Sequence, residues 1–238
     1  MKKIYQSTIV KIERSPNGST IMLYVLLEDL DKSLEFLAGQ FVVINIKIWD
    51  QIVRRSYSIA TTMQYYQETL QLWFIIKHVS DWLMSSYFVK DAKLGDKLEI
   101  IWPVGKMTCE QNSKDADYLL ISSGSGLWPI WSIYHSLKIT NNYNKIWQIY
   151  GERSIDDMVV NFESEYDTNI KNIITLSRES REWFYQWYVQ KYISTVLSDL
   201  NKSSLRVYIC GKPAMVEESV EILNNHGIDN EFIFFEKY

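Results

Sequence analysis

Leu119-Leu120-Ile121-Ser122-Ser123-Gly124-Ser125-Gly126-Leu127-Trp128-Pro129 runs from a short apolar stretch into a glycine-containing turn and on to a proline. An apolar run bounded by turn residues reads as a buried strand. Pro129 suits the first turn of a helix, where its missing N–H would have had no partner anyway. Glycines let backbone N–H groups approach a pyrophosphate, and a helix N-terminus favours anions. The turn offers Gly124 and Gly126 but not the third glycine of a full dinucleotide fingerprint. A Gly-x-Gly turn taken alone serves any tight strand-to-helix connection.

Its surroundings add weight. Strands are expected at 118–122, 145–150, 170–176, 205–210 and 231–235, with helices at 126–137, 156–166, 186–200 and 213–226 between them. Such alternation predicts βαβ units, a parallel sheet, and ligands at the carboxyl ends of its strands. Upstream the rhythm differs. Segments 4–12, 20–27, 41–48, 57–61 and 70–79 are rich in Val, Ile, Tyr and Thr, with turns such as Ser15-Pro16-Asn17-Gly18 and Leu94-Gly95-Asp96 between them. One helix is expected at 83–89. Closely spaced strands with few helices predict an antiparallel β-barrel. The polar stretch 111–117 reads as a linker. The expected architecture is therefore a two-domain β + α/β chain: a β-barrel over residues 1–110 and a parallel-sheet α/β domain over 111–238.

Composition sets bounds on function. With 238 residues, a net charge of −4 and a pI near 5.5, the chain does not suit nucleic acid as its main partner. Two cysteines, Cys109 and Cys210, are too few for a four-cysteine iron–sulfur cluster, and no CxxC zinc pattern occurs. His78, His135 and His226 stand apart from one another, so no metal site is expected. Residues 1–13 contain no continuous apolar run, so neither a signal peptide nor a spanning helix is expected, and the expected location is cytoplasmic.

Three other stretches could carry chemistry. In Arg54-Arg55-Ser56-Tyr57-Ser58, Arg55 and Tyr57 share one face of a strand. Such a pair can neutralise a phosphate and stack on a flat cofactor; equally it fits an ordinary amphipathic strand with an exposed arginine. In Val207-Tyr208-Ile209-Cys210-Gly211-Lys212-Pro213-Ala214-Met215, Cys210 ends a strand where a ligand would lie, or is a buried structural cysteine. The terminal Phe234-Phe235-Glu236-Lys237-Tyr238 could set a ring on a cofactor, or fray.

Taken in order, these stretches resemble the ferredoxin–NADP reductase superfamily, which includes flavodoxin reductases, flavin reductases and oxygenase reductase components. The resemblance spans nearly the whole chain. Gly39-Gln40-Phe41 resembles the family's GQ[FY] strand, and Arg55-Ser56-Tyr57-Ser58 its RxYS flavin motif, the most specific element. Residues 77–86 resemble the stretch that holds the FAD diphosphate, and Pro103-Val104-Gly105 the end of a GPxG turn. Ser123 to Pro129 is similar to the GGTGxxP turn, Tyr150-Gly151-Glu152-Arg153 to YGxR, Cys210-Gly211 with Met215 to CGxxxM, and Glu236-Lys237-Tyr238 to the acidic–aromatic ending.

The resemblance implies an oxidoreductase that moves a hydride from NAD(P)H to FAD and electrons on to ferredoxin, flavodoxin, free flavin or an oxygenase. FMN in place of FAD stays open. In that reading Arg55 binds the flavin diphosphate, Tyr57 stacks on the ring system, and Ser58 contacts its reactive edge. Ser85 and Ser86 hold the diphosphate at a helix start. Gly124, Gly126 and Gly211 admit the nicotinamide nucleotide. Cys210 sits near the nicotinamide, Glu236 near the flavin, and Tyr238 covers the flavin's second face. Ser177 and Arg178 follow the nucleotide-selecting strand. An arginine there favours NADPH over NADH, with Arg153 and Arg181 as secondary contacts.

Four tryptophans depart from the family pattern. Trp82, Trp102, Trp128 and Trp187 stand where glycine or a small residue is usual, which adds bulk beside a cofactor. They motivate two alternatives. One is a degenerate, non-catalytic flavin- or partner-binding module of the same fold. The other is that these tryptophans arise from codon misassignment or a sequence error.

Overall fold

The computed structural model describes residues 3–28, 35–109, 115–158 and 168–238. Two six-stranded sheets follow one another along the chain. The first holds β1 (Ile4–Arg14), β2 (Thr20–Leu27), β3 (Phe41–Ile48), β4 (Gln51–Ser58), β5 (Gln71–Lys77) and β6 (Lys97–Val104) in the order β4-β3-β6-β1-β2-β5. All its pairings are antiparallel. Alternation drives it: Ile21, Leu23, Val25 and Leu27 on β2, and Leu72, Phe74 and Ile76 on β5, are buried on one face. They pack with Tyr5, Ile9, Val42, Ile44 and Phe88, the last from helix α2 (Leu83–Lys90). The edge strands β4 and β5 curve back into contact, giving a half-barrel.

The second sheet is parallel. It contains β7 (Asp117–Ser123), β8 (Lys145–Glu152), β9 (Ile170–Leu176), β10 (Tyr185–Gln186), β11 (Leu205–Gly211) and β12 (Ile233–Lys237) in the order β10-β9-β8-β7-β11-β12. β7 is buried on both faces, which explains its unbroken apolar run. Helices α3 (Leu127–Thr140) and α5 (Pro213–Asn225) cover the sheet, joined by the short α4 (Ile193–Leu197). From β7 the chain moves outward through β8, β9 and β10, then returns to β11 on β7's other side. That reversal opens a crevice beyond the carboxyl ends of β7 and β11.

Several elements differ from the sequence reading. β6 was not anticipated: Pro103-Val104-Gly105 resembled the end of a turn, yet Trp102, Pro103 and Val104 continue the strand. β4 begins at Gln51, earlier than expected, since as an edge strand neither of its faces is fully buried and it shows little alternation. Helix α1 (Met63–Thr69), capped by the Thr62 hydroxyl, was also unforeseen. The helix expected at 186–200 is a two-residue strand, a 3-10 turn at 189–192 and then α4. Of the helix expected at 156–166, only a 3-10 turn at Ile155–Asp157 is seen, and residues 159–167 lie outside the described part. Most of the linker expected at 111–117 also lies outside it.

The two sheets meet along a packed seam. Ala60 and Ile75 from the first touch Leu127, Trp128 and Tyr150 from the second. The Ser132 hydroxyl donates to the Thr61 carbonyl at 3.1 Å. Among the described residues, no helix is long and apolar enough to cross a membrane.

Candidate active site

The crevice is built by close backbone approach. A Cβ on Gly126 would lie 2.0 Å from the Cys210 carbonyl oxygen and 2.8 Å from the Tyr238 hydroxyl. Only glycine lets the β7–α3 turn press against β11 there. One on Gly211 would lie 2.5 Å from Ser123 Oγ and from the Met215 methyl. Gly124, at φ 55°, is different: its Cβ direction meets only Glu152 Oε2 at 3.9 Å, leaving room at the helix start. Gly126, the residue that precedes α3, makes no side-chain cap bond. An anion could approach those N–H groups.

Register sets the chemistry of the crevice wall. Cys210 pairs with Ser122 on one side and Glu236 on the other. Burial pushes the Cys210 thiol far up, and the Glu236 carboxylate adds to the effect, so Cys210 stays protonated and is a poor nucleophile. Burial alone pushes Glu236 up to about 7. The Tyr238 ring is half exposed, but its hydroxyl reaches inward to Ser125 and Cys210. Its backbone N–H donates to the Gly211 carbonyl at 3.3 Å.

Glu236 links this wall to the first sheet. A Cβ on Gly105 would lie 3.1 Å from Glu236 Oε1 and 3.2 Å from the Phe41 ring. Phe41 pairs directly with Ser58. The end of β12 thus stands beside the strand that carries Arg55, Tyr57 and Ser58. Tyr57 is half-buried, edge-on to Phe88, and burial keeps its phenol neutral. Arg55 is exposed; its guanidinium donates to the Arg54 carbonyl at 2.8 Å and lies 5.7 Å from the Trp82 ring. Trp82 caps α2 without a side-chain bond, so the helix's first-turn N–H groups stand near a cation. That donor set suits a diphosphate.

The two serines of α2 are not equivalent. Ser85 is buried, and its hydroxyl accepts from Val79 N–H at 3.1 Å and lies within bonding distance of the Val79 and Trp82 carbonyls, closing the 79–82 loop. Ser86 is half-buried beside His78, 3.3 Å from its ring nitrogen. Trp128 is buried in the seam rather than in the crevice, with Nε1 unpartnered. Trp82 and Trp187 are exposed, and the side chain of Trp102 lies outside the described part.

Beyond β8 and β9, Ser177 and Arg178 donate backbone N–H groups to the carbonyls of Glu152 and Arg153 at 3.0 Å each. Arg153, Arg178 and Arg181 are all exposed there. Glu179 moderates the group, lying 3.7 Å from Arg181 Nε.

One feature of the site went unread in the sequence. Lys77 Nζ, at the end of β5, contacts Glu152 Oε1 at 2.8 Å and Asp157 at 3.5 Å, bridging the sheets beside Gly124. Glu152 also accepts from the Tyr150 hydroxyl and from Arg153 N–H, both at 3.1 Å. Asp157 Oδ1 accepts from Asn17 at 3.4 Å and Ser19 at 3.3 Å. An acid at the end of an apolar strand was the available signal.

Comparison with known proteins identifies the family of each half of the chain. The oxidoreductase FAD-binding domain family matches residues 8–109, and the oxidoreductase NAD-binding domain family matches residues 120–221. The chain is 27% identical over 238 residues to the toluate 1,2-dioxygenase electron transfer component of Pseudomonas putida, covering 98% of this chain and 67% of that protein. It is 27% identical over 214 residues to the ferredoxin–NADP reductase of Azotobacter vinelandii, covering 82% and 81%. A crystal structure of a ferredoxin NADP+ reductase from Neisseria gonorrhoeae with bound FAD and NADP superposes with a TM-score of 0.84, covering 99% and 98%. At 19% identity that likeness is one of fold.

Proposed function

Because the chain belongs to the ferredoxin–NADP reductase superfamily, with FAD-binding and NAD-binding oxidoreductase domains, we propose that it passes hydride from NAD(P)H to FAD and electrons on to a ferredoxin, flavodoxin, free flavin or oxygenase. The domains divide at residues 110 and 111 in this reading. The observation that carries it is the run of contacts from Ser58 through Phe41 and Gly105 to Glu236, which sets the flavin-type motif of one sheet against the crevice of the other.

When bound, the flavin and nicotinamide supply the redox chemistry, a hydride passing from nicotinamide C4 to flavin N5. The chain's own residues bind and align. Arg55, with Ser86 and the first-turn N–H groups of α2, neutralises the diphosphate, while Ser85 shapes the loop that presents them. Tyr57 offers a neutral ring for stacking, and Ser58 a hydroxyl at the reactive edge. Gly124, Gly126 and Gly211 leave room for the nucleotide, and Cys210 meets the nicotinamide as a protonated thiol. Glu236 can hold or release a proton near neutral pH beside the flavin. Tyr238 closes the crevice and must give up its bonds to Ser125 and Cys210 for nicotinamide to enter. Ser177 and Arg178, with Arg153 and Arg181, favour a 2′-phosphate and hence NADPH.

Titrating the apoprotein with FAD and following flavin fluorescence tests the binding half. Arg55→Ala is expected to weaken FAD roughly 10- to 100-fold, the range for a charge-assisted bond. Unchanged affinity contradicts the assignment. One observation favours the non-catalytic reading: the bulky Trp82 ring stands 5.7 Å from the Arg55 guanidinium, beside the place where the diphosphate would bind. A folded chain that takes up no FAD would bear out that reading.

A further inference from the structure

Among the described residues, five other than glycine have positive φ: Trp49 (52°), Leu70 (57°), Asn141 (48°), Trp183 (73°) and Trp187 (82°). Tryptophan supplies nine of the 238 positions but three of these five. In this region a Cβ crowds the following carbonyl, so single residues there are normally glycine, sometimes asparagine. Asn141 fits that rule as the residue closing α3. Leu70 closes α1, and its side chain packs against the first core.

The three tryptophans gain no such burial. They are 76%, 89% and 59% exposed at 49, 183 and 187. Lys191 lies 4.9 Å over the Trp187 ring, a surface contact of the weak kind. Trp49 and Asp50 form the two-residue turn of the β3–β4 hairpin, where Ile48 pairs with Gln51. Positive φ at the first turn position calls for glycine or asparagine. Trp183, in a turn, and Trp187, in a bend, lie on either side of β10. Seven of the chain's nine glycines hold positive φ, so the backbone uses these tryptophan positions as it uses its glycines.

We propose that positions 49, 183 and 187 carry glycine in the protein as its own cell makes it, the codon there translating as glycine rather than tryptophan. Trp147 is a contrasting case: it lies within β8, its indole donates to Asp199 at 2.8 Å, and Lys171 sits 5.2 Å over its ring. Position 147 keeps tryptophan. Trp82 stands outside the backbone argument, since its φ is −107°. For the site, the consequence is local: glycine at 183 and 187 clears two exposed indoles from the sheet edge beside Arg178 and Arg181. The proposal does not depend on the redox reading.

Peptide mass spectrometry of the protein isolated from its natural source tests it. Glycine at 49, 183 and 187 with tryptophan at 147 is expected; tryptophan at the three positions overturns the proposal. Urea unfolding of the chain with tryptophan at these positions gives a second test that needs no cofactor. W49G, W183G and W187G are each expected to raise the folded-to-unfolded ratio roughly fivefold or more, whereas W147G lowers it. No gain in the three, or an equal gain in W147G, overturns the proposal.

Discussion

Lys77→Met is the perturbation that best probes how the two sheets are held together. Lys77 is 22% exposed and its partner Glu152 only 4%. Removing one member of a fully buried pair costs roughly 3–5 kcal/mol, because the other charge is left without compensation. An exposed pair is worth about 0–1 kcal/mol. Lys77 is partly wet, and Glu152 keeps the Tyr150 hydroxyl and the Arg153 N–H. The expected loss is therefore about 2–3 kcal/mol, between those limits. Asp157 contributes to it. Burial works against its carboxylate, but Lys77 and hydrogen bonds from Ser154, Asn17 and Ser19 hold its pKa below the usual 3.8. That contribution is present above pH 3.8 and is lost as pH falls through the lower folded value. Urea unfolding of the native chain, K77M, E152Q and the double variant forms a thermodynamic cycle. A coupling of about 1–2 kcal/mol is expected for a pair this close. A coupling below about 0.5 kcal/mol, the level seen for independent sites, would refute the view that this pair joins the sheets.

Three further outcomes follow from the crevice. Gly126→Ala forces a Cβ against the Cys210 carbonyl at 2.0 Å and should cost about 1–3 kcal/mol or more in unfolding free energy; an unchanged midpoint would show that the turn can move aside. Glu236 has its folded pKa raised to about 7 from 4.5, so its contribution is full below pH 4.5 and lost as pH rises through 7. Glu236→Gln should therefore flatten the decline in stability across that window, and parallel pH profiles for the two proteins would contradict the assignment. Arg178→Ala should cut the preference for NADPH over NADH roughly 10- to 100-fold in kcat/KM; a preserved preference would move the role to Arg153 or Arg181.

The parts legible in the sequence were those where burial leaves a simple pattern. β2 alternates because one face is wet, and β7 does not because both faces are covered. The glycine turn was legible because its close approach to Cys210 excludes a side chain. β4 was misplaced because neither of its faces is fully buried, and β6 was missed because Pro103 continues a strand. The division of labour between Ser85 and Ser86 depends on how the 79–82 loop folds back, which neighbouring residues alone do not reveal. The Lys77–Glu152 pair joins residues 75 apart on different sheets, so no local motif could announce it. The helix expected at 186–200 has the right apolar residues, but at Trp187 the backbone turns left-handed and the helix starts later.

The reaction itself is best tested by the visible spectrum of the FAD-loaded protein, recorded anaerobically before and after NADPH or NADH is added. The run of contacts from Ser58 through Phe41 and Gly105 to Glu236, which pairs with Cys210, underlies the proposed site, and that proposal predicts a flavin spectrum that bleaches within the mixing time of a manual assay, faster with NADPH. A bound flavin that neither nucleotide bleaches would contradict hydride transfer at this crevice.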